Sequence, residues 1–430
     1  MTKRKPPAAV FAFALLAACV LALASCGRDP IFFTISTEVP PREPLVPGGP
    51  TKMVVFDWAT PGDGPARPVL FVASGSLFWY APAYYVDGGH GNRRWDNTSA
   101  RWGTNIGVSR PPGERIIDIA ATQNYLYALT GTGTNNVVRR IRSGGTEWEA
   151  TALTGNIQSI FGEPEGTRLF AGVRTGGRNH EIRFLDENGA NGRLPTEGED
   201  TGLLSGAAGG FLSTTGRTLP DGTDMGGGIF NASTGARVPG SEGRMFMGMI
   251  ALPNGTVIAV TRAGGFLYEV SAASAARIPR TGGEETAATE MMQSGRDATG
   301  ALALWVNVDD VDDKGDIDPS NIDPFARMLV VGIQGSRHAT TFVNGYVEFS
   351  LTADGALDTA RPRRDAGDLL TVHDNPRYRT SIGRLPLNHL FQVPFEIDSD
   401  ATFFASTQTV GLWSYRFRQG EGGWQWNAED

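Results

Sequence analysis

Apolar and polar positions along this chain repeat in a fixed order. An apolar run is followed by a tight turn and a second run that ends in small residues. A polar gap follows, then a third run in which apolar and polar positions alternate. Ile116 to Ala120, Tyr125 to Thr130 and Val137 to Ile141 make one such unit. Ile157 to Phe161, Arg168 to Val173 and Glu181 to Leu185 make the next. Phe246 to Leu252 passes through an Asn254-Gly255 turn to Thr256 to Val260, and then to Gly265 to Val270. Phe391 to Ile397, Thr402 to Ser406 and Gly411 to Phe417 repeat the order near the C-terminus. Short β-branched and aromatic runs bounded by Gly, Asn, Asp and Pro predict strands and turns. No window sustains an apolar period of 3.6, so helices are not expected.

Weaker copies fill the gaps. They are Val54 to Trp58 with Val69 to Ala73 and Leu77 to Tyr80; Leu203 to Ser205 with Gly210 to Thr214 and Gly228 to Phe230; and Leu302 to Val308 with Met328 to Ile333 and Tyr346 to Leu351. The second runs of the central copies are about 42 to 46 residues apart, the period of a four-stranded propeller blade. One such sheet cannot bury both faces alone, and radial stacking buries each against its neighbours. The expected fold is all-β: a β-propeller, with seven blades of four-stranded antiparallel sheet as the leading count and six or eight as the alternatives. The ambiguity lies around 281–300 and 360–388. A β-solenoid fits less well, because the period is too long for one coil. Two β-sandwiches fit less well because no linker divides the chain. Small residues in the second runs (Ala73, Ala128, Ala171-Gly172, Ala259, Ala405-Ser406) suggest that those strands crowd the axis. The pattern resembles bacterial propellers of the beta-propeller lipoprotein kind. The resemblance is architectural: Gly265 to Val270 looks like one degenerate quinoprotein-type repeat, and no Trp-Asp repeat signature or sialidase-type Asp box occurs.

The N-terminus changes the picture from fold to location. Lys3, Arg4 and Lys5 precede an uncharged apolar stretch from Ala8 to Ala24, which runs into Leu23-Ala24-Ser25-Cys26-Gly27. This is the order of a secretory signal, and it resembles bacterial lipoprotein signals. The resemblance implies cleavage before Cys26, a diacylglycerol thioether on its thiol and acylation of the new amino terminus. One acyl chain gives only marginal membrane binding, so two or three chains on one residue make a stable anchor. The alternative is an uncleaved span, for which the apolar stretch is short. The chain then divides into a signal at 1–25, a lipidated N-terminus and Pro/Gly-rich tether at 26–50, and a propeller at 51–430 with an acidic insertion near 309–325. Ile31 to Ser36 and Gly423 to Asn427 both read as strands, and either could be the outermost strand of the last blade.

Charge and cysteine content narrow the functions. Loss of Lys3, Arg4 and Lys5 takes the formal net charge from −8 to −11, which disfavours nucleic acid and anionic lipid headgroups as partners. Lysine occurs only at 3, 5, 52 and 314, a bias best explained by genome base composition. Cys19 and Cys26 are the only cysteines. The mature domain therefore has no internal disulfide, no thiolate nucleophile and no Cys-ligated metal.

Three clusters carry candidate chemistry. From Asp310, the run to Asp318 places Asp310, Asp312, Asp316 and Asp318 at loop positions 1, 3, 7 and 9, with Gly315 at 6. Calcium loops use that spacing to converge carboxylates on one hard cation. Lys314 at position 5 and Asn321 in place of a bidentate Glu depart from the pattern, and a solvated acidic insertion is the simpler reading. The second cluster is aromatic and basic: Tyr84, Tyr85, Arg93, Arg94, Trp95, Arg101 and Trp102 within loop residues 82–110. Exposed on one face it would be a recognition surface; otherwise it is interblade core plus a long loop, with Phe78 and Trp79 in the core. The third set is His90, His180, His338, His373 and His389, scattered without metal-ligand spacing. Surface or satisfied loop positions are their ordinary fate. No nucleophile elbow or P-loop occurs.

Together these readings favour a binding protein over an enzyme. The expected protein is a lipid-anchored extracytoplasmic propeller acting as a protein- or ligand-binding scaffold of the bacterial envelope. It would be held to the membrane by acyl chains on Cys26, with an envelope protein as partner and Ca2+ as the one candidate cofactor. Gly27 after the lipidated Cys leans toward the outer membrane. The rivals are a propeller hydrolase or lyase with an axial acidic site, and a host-facing adhesin. Acidic and His side chains clustered in the central channel would favour the enzyme.

Overall fold

The computed structural model describes Val46 and, from Lys52 to Ala428, the strands and most of their connections. Residues 1–45, 47–51, 60–64, 81–84, 88–92, 96–101, 104–114, 279–295, 307–326, 336–344, 360–363, 366–385 and some shorter turns lie outside the described set. The described residues form strands and turns without a helix. They build seven antiparallel sheets of three or four strands, each from one continuous stretch of the chain, plus two small two-stranded hairpins, one inserted in the first sheet and one in the fourth. The first sheet, for example, runs through Lys52–Trp58, Arg67–Ala73, Leu77–Tyr80 and Trp102–Gly103. The seventh runs through Leu387–Gln392, Phe403–Thr407, Leu412–Arg418 and Gly423–Ala428. Gly423–Ala428 is thus the outer strand beside Leu412–Arg418; Ile31 to Ser36 lies outside the described residues.

Burial explains why the second runs are continuously apolar. Tyr125–Thr130 is buried at every position. Leu126 and Ala128 face the first sheet's apolar cluster, while Tyr125, Tyr127 and Leu129 face the third sheet's. Successive side chains point to opposite faces of a strand, so a sheet covered on both faces needs apolar residues at both parities. Seven apolar clusters result, one in each seam between neighbouring sheets, and the last joins the seventh sheet to the first.

The seven first strands stand side by side around a common axis: Lys52–Trp58, Ile116–Ala121, Ile157–Gly162, Leu203–Ala208, Phe246–Ala251, Arg296–Val306 and Leu387–Gln392. Each contacts the next, and the seventh contacts the first. Sheets made of consecutive strands and set in a closed ring define a β-propeller. This corrects one expectation: the strand nearest the axis is the first of each sheet, not the second. The small residues of the second strands answer to crowding in the seams instead. A Cβ added to Gly172, for example, would lie 2.9 Å from Leu204 Cβ of the next sheet. Crowding at the axis falls on first-strand glycines. A Cβ on Gly162 would meet the Ala121 carbonyl oxygen at 2.1 Å, and one on Gly248 would meet that of Gly300 at 2.8 Å.

Six of the seven inner strands bulge against their second strands at one equivalent place. A bulge re-aims the next side chain and bends the strand. In five of them the residue just past the bulge is Asp118, Ser159, Gly206, Gly248 or His389. Each of these faces the inner strand of the next sheet. Asp118 Oδ2 accepts from Ile160 N at 3.0 Å, Ser159 Oγ donates to Leu204 O at 2.7 Å, and His389 Nδ1 accepts from Met53 N at 3.3 Å. At Gly206 and Gly248 the backbones approach too closely for a side chain. Ser205 Oγ bonds Phe246 O, and the Gln392 amide pairs with both N and O of Val306. The ring is stitched by polar contacts near its axis and filled with apolar side chains farther out.

Candidate functional site

The inner strands enclose an axial cavity of about 650 Å³. All seven sheets contribute to its wall. The pairing of strand ends, such as Val306 with Gln392, shows that the inner strands run the same way. Asp57 and Gln123, both exposed, therefore mark the rim, and Lys52 and His389 lie toward the inner end.

The wall is mostly apolar. Val55, Phe161, Ile250, Leu302, Leu304 and Phe391 line it, and each is only half-buried because one side faces the cavity. The polar exception is at the inner end. Lys52 Nζ sits 3.0 Å from Asp118 Oδ2, donates to Ile160 O at 2.5 Å and lies 3.7 Å above the Phe161 ring. The two charged side chains are 13% and 10% accessible. Asp118 Oδ1 also accepts from Ile119 N. One lysine thus ties the first sheet to the second and third through a single carboxylate. Burial pulls the Lys52 ammonium below the usual lysine range, and Asp118 opposes that shift. Such a pair is neutral as a unit, and removing either member strands a charge.

His389 stands in the same wall and stacks on Phe391, with ring centroids 6.3 Å apart. Its half-buried ring faces the cavity. Burial holds its pKa down to about 3, and the Lys52 charge pushes the same way. The imidazole is therefore neutral at ordinary pH, which lets Nδ1 accept the Met53 N–H.

Neither residue stood out as a site in the sequence. Lys52 was visible as a rare lysine, and His389 as one of five scattered histidines. The signal was there once the inner strands are aligned. Ile116-Ile117-Asp118-Ile119, Ile157-Gln158-Ser159-Ile160 and Leu387-Asn388-His389-Leu390 share one frame, with a polar residue where two apolar flanks predict burial.

The other candidate residues fall as follows. Trp102 is 5% exposed and packs on Tyr80 and Phe404, so it is core and not part of an exposed face. Tyr85–Asp87 and Arg93–Trp95 pair as a hairpin, whose side chains are outside the described set. Tyr84, Arg101, Cys26, Asp310, Asp312, Asp316 and Asp318, and also His90, His338 and His373, lie outside it as well. His180 is in the third sheet, where its backbone N–H donates to Asp200. The strand ends flanking the aromatic–arginine insertion (Tyr80, Trp102) and the acidic insertion (Val306, Arg327) are on the rim side of their sheets. Among the described lining residues the carboxylate is Asp57, at the rim, and no group of three or more His, Cys, Asp or Glu is placed to hold a metal.

The ring of sheets and its axial cavity place this chain in the β-propeller class. No family model matches its sequence, and no curated protein matches it either. Similar solved structures include YCF48 bound to a D1 peptide, at 12% identity and a TM-score of 0.43 over 86% of this chain and 92% of that one. The Cps50 (Swd1) beta-propeller domain of Myceliophteria thermophila is similar over 88% of this chain and 96% of its own, at 9% identity and a TM-score of 0.40. Virginiamycin B lyase from Staphylococcus aureus is similar over 85% and 93%, at 10% identity and a TM-score of 0.40.

Proposed function

We propose that this chain is a lipid-anchored β-propeller of the bacterial envelope that holds a protein partner at its rim face. Cys26 carries the acyl chains, residues 26–50 tether the domain, and the outer membrane is the favoured site. Each of the seven sheets serves as one blade. One observation carries the binding reading over the hydrolase reading. The axial wall is mostly apolar, and its buried cation, Lys52, is neutralised by Asp118 behind it. Acid–base hydrolysis needs a titratable pair that meets substrate near the operating pH, and the described wall offers none. The aromatic–arginine insertion springs from Tyr80 and Trp102, which are fixed in the core. A rim-face interface would therefore rest on a rigid base.

The test is site-specific photocrosslinking in intact cells. A benzophenone side chain at Gln123, on the rim, should give a discrete protein adduct. The same group at Asn135, exposed at the opposite end of the second sheet, should not. Cys26→Ser should move the protein out of the membrane fraction and weaken the adduct. Equal labelling at both positions, or none at Gln123 in folded protein, would overturn the reading.

A further inference from the structure

We propose that the axial cavity is a binding site for a small, uncharged, apolar molecule that carries one carbonyl acceptor, received by His389. The cavity volume falls in the range of small-molecule sites, which are apolar with a few placed polar groups. Half-buried side chains from several sheets (Val55, Phe161, Ile250, Leu302, Leu304, Phe391) leave apolar surface facing it. An apolar body would cover that surface.

The polar handle follows from the hydrogen bonds already described. His389 Nδ1 is occupied as an acceptor by Met53 N–H. A neutral imidazole carries one ring proton, so here it sits on Nε2 and makes that atom a donor. Among the described residues Nε2–H finds no acceptor. Lys52, beside it in the wall, already spends two donors on Asp118 and the Ile160 carbonyl.

The same contacts define what the site rejects. Lys52 has its counter-charge in Asp118, so a carboxylate ligand would enter an apolar cavity with no opposing charge to meet it. Desolvating an unpaired ion is far costlier than desolvating a carbonyl. A molecule with no acceptor would leave the His389 donor unanswered. The site therefore ranks a neutral carbonyl compound above both. This assignment is independent of the rim-face partner, because its ligand contacts are all inside the ring.

The experiment is calorimetric titration of the folded chain with three probes of similar shape: 4-phenylbutan-2-one, 4-phenylbutanoate and butylbenzene. The ketone should bind tightest. His389→Phe should weaken ketone binding by about three- to tenfold, the worth of one hydrogen bond, and leave butylbenzene unchanged. Ile250→Trp, which fills the cavity from the fifth sheet, should abolish binding of all three. Circular dichroism checks that each variant is folded, and Asn388→Ser, half-buried next to His389, serves as a control if His389→Phe does not fold: it should bind the ketone normally. The proposal fails if 4-phenylbutanoate binds as tightly as the ketone, if no probe binds the folded parent chain, or if Ile250→Trp leaves binding intact. A failed photocrosslink at Gln123 with intact ketone binding would overturn the scaffold reading alone.

Discussion

The seam between the fifth and sixth sheets and the seam between the seventh and first are built in opposite ways. At the former, backbones nearly touch: a Cβ on Gly300 would lie 2.4 Å from the Met247 carbonyl oxygen. At the latter, large rings fill the gap. Tyr80, Trp102 and Phe404 have centroids 5.1 to 5.4 Å apart, and Val46 and Val393 complete the cluster. The first seam joins sheets that follow each other along the chain. The second joins the two ends of the ring, and among the described residues no strand of either end crosses into the other's sheet. A seam without chain continuity must be held by burial and hydrogen bonds alone. Aromatic side chains supply the most buried area per residue, and edge-to-face pairs add to it.

This contrast can be broken most severely at Phe404. Phe404→Ala should cost about 3–5 kcal/mol, since the ring is fully buried and cannot be replaced by collapse of its neighbours. Denaturant titration measures it. Lys52→Met should come next, at about 3 kcal/mol, because it leaves Asp118 charged without its partner. The double variant Lys52→Met with Asp118→Asn should recover part of that loss. If it does not, the pair is not acting as a unit. Gly248→Ala should cost about 1–3 kcal/mol through overpacking. A loss larger than that of Phe404→Ala would reverse the ranking of the two seams.

The most diagnostic effect concerns pH. The folded-state pKa of His389 is about 3, against an ordinary value of 6.5. The unfolded chain therefore binds the extra proton between those values. Stability from the neutral imidazole is present above about pH 6.5 and is lost as pH falls toward 3, at up to about 1.4 kcal/mol per pH unit. Unfolding curves at pH 7, 6 and 5 should show this slope in the parent chain. His389→Leu should flatten it, since carboxylates titrate mainly below that range. An unchanged slope would mean that His389 binds its proton equally in the folded and unfolded chains.

Much of this architecture was legible in the residues. The runs at Ile116, Tyr125 and Val137 became three strands of one sheet, because alternation and turn chemistry act within a few residues. The axial site was not legible in the same way. Lys52 meets Asp118 across neighbouring sheets, 66 residues apart, and His389 joins them only because ring closure brings the first and last sheets into contact, over more than 300 residues. The order of strands within a sheet was also misjudged: small residues in second strands reflect contact across a seam, and the axis places its glycines in first strands. Trp102 was counted with an exposed cluster because sequence neighbours such as Trp95 and Arg101 share its composition. Its pairing with Tyr80 put it inside.

Contiguous sheets have a consequence for how the ring forms. Each sheet can assemble from one short stretch of chain, with loop-closure entropy paid locally. The junction of Tyr80 and Trp102 with Phe404 requires both ends of the domain, so it is the natural last event in folding. An open-ring species would then precede the native state. It would have ordered sheets and two bare aromatic edges, and those edges could find each other in a second molecule as readily as in their own.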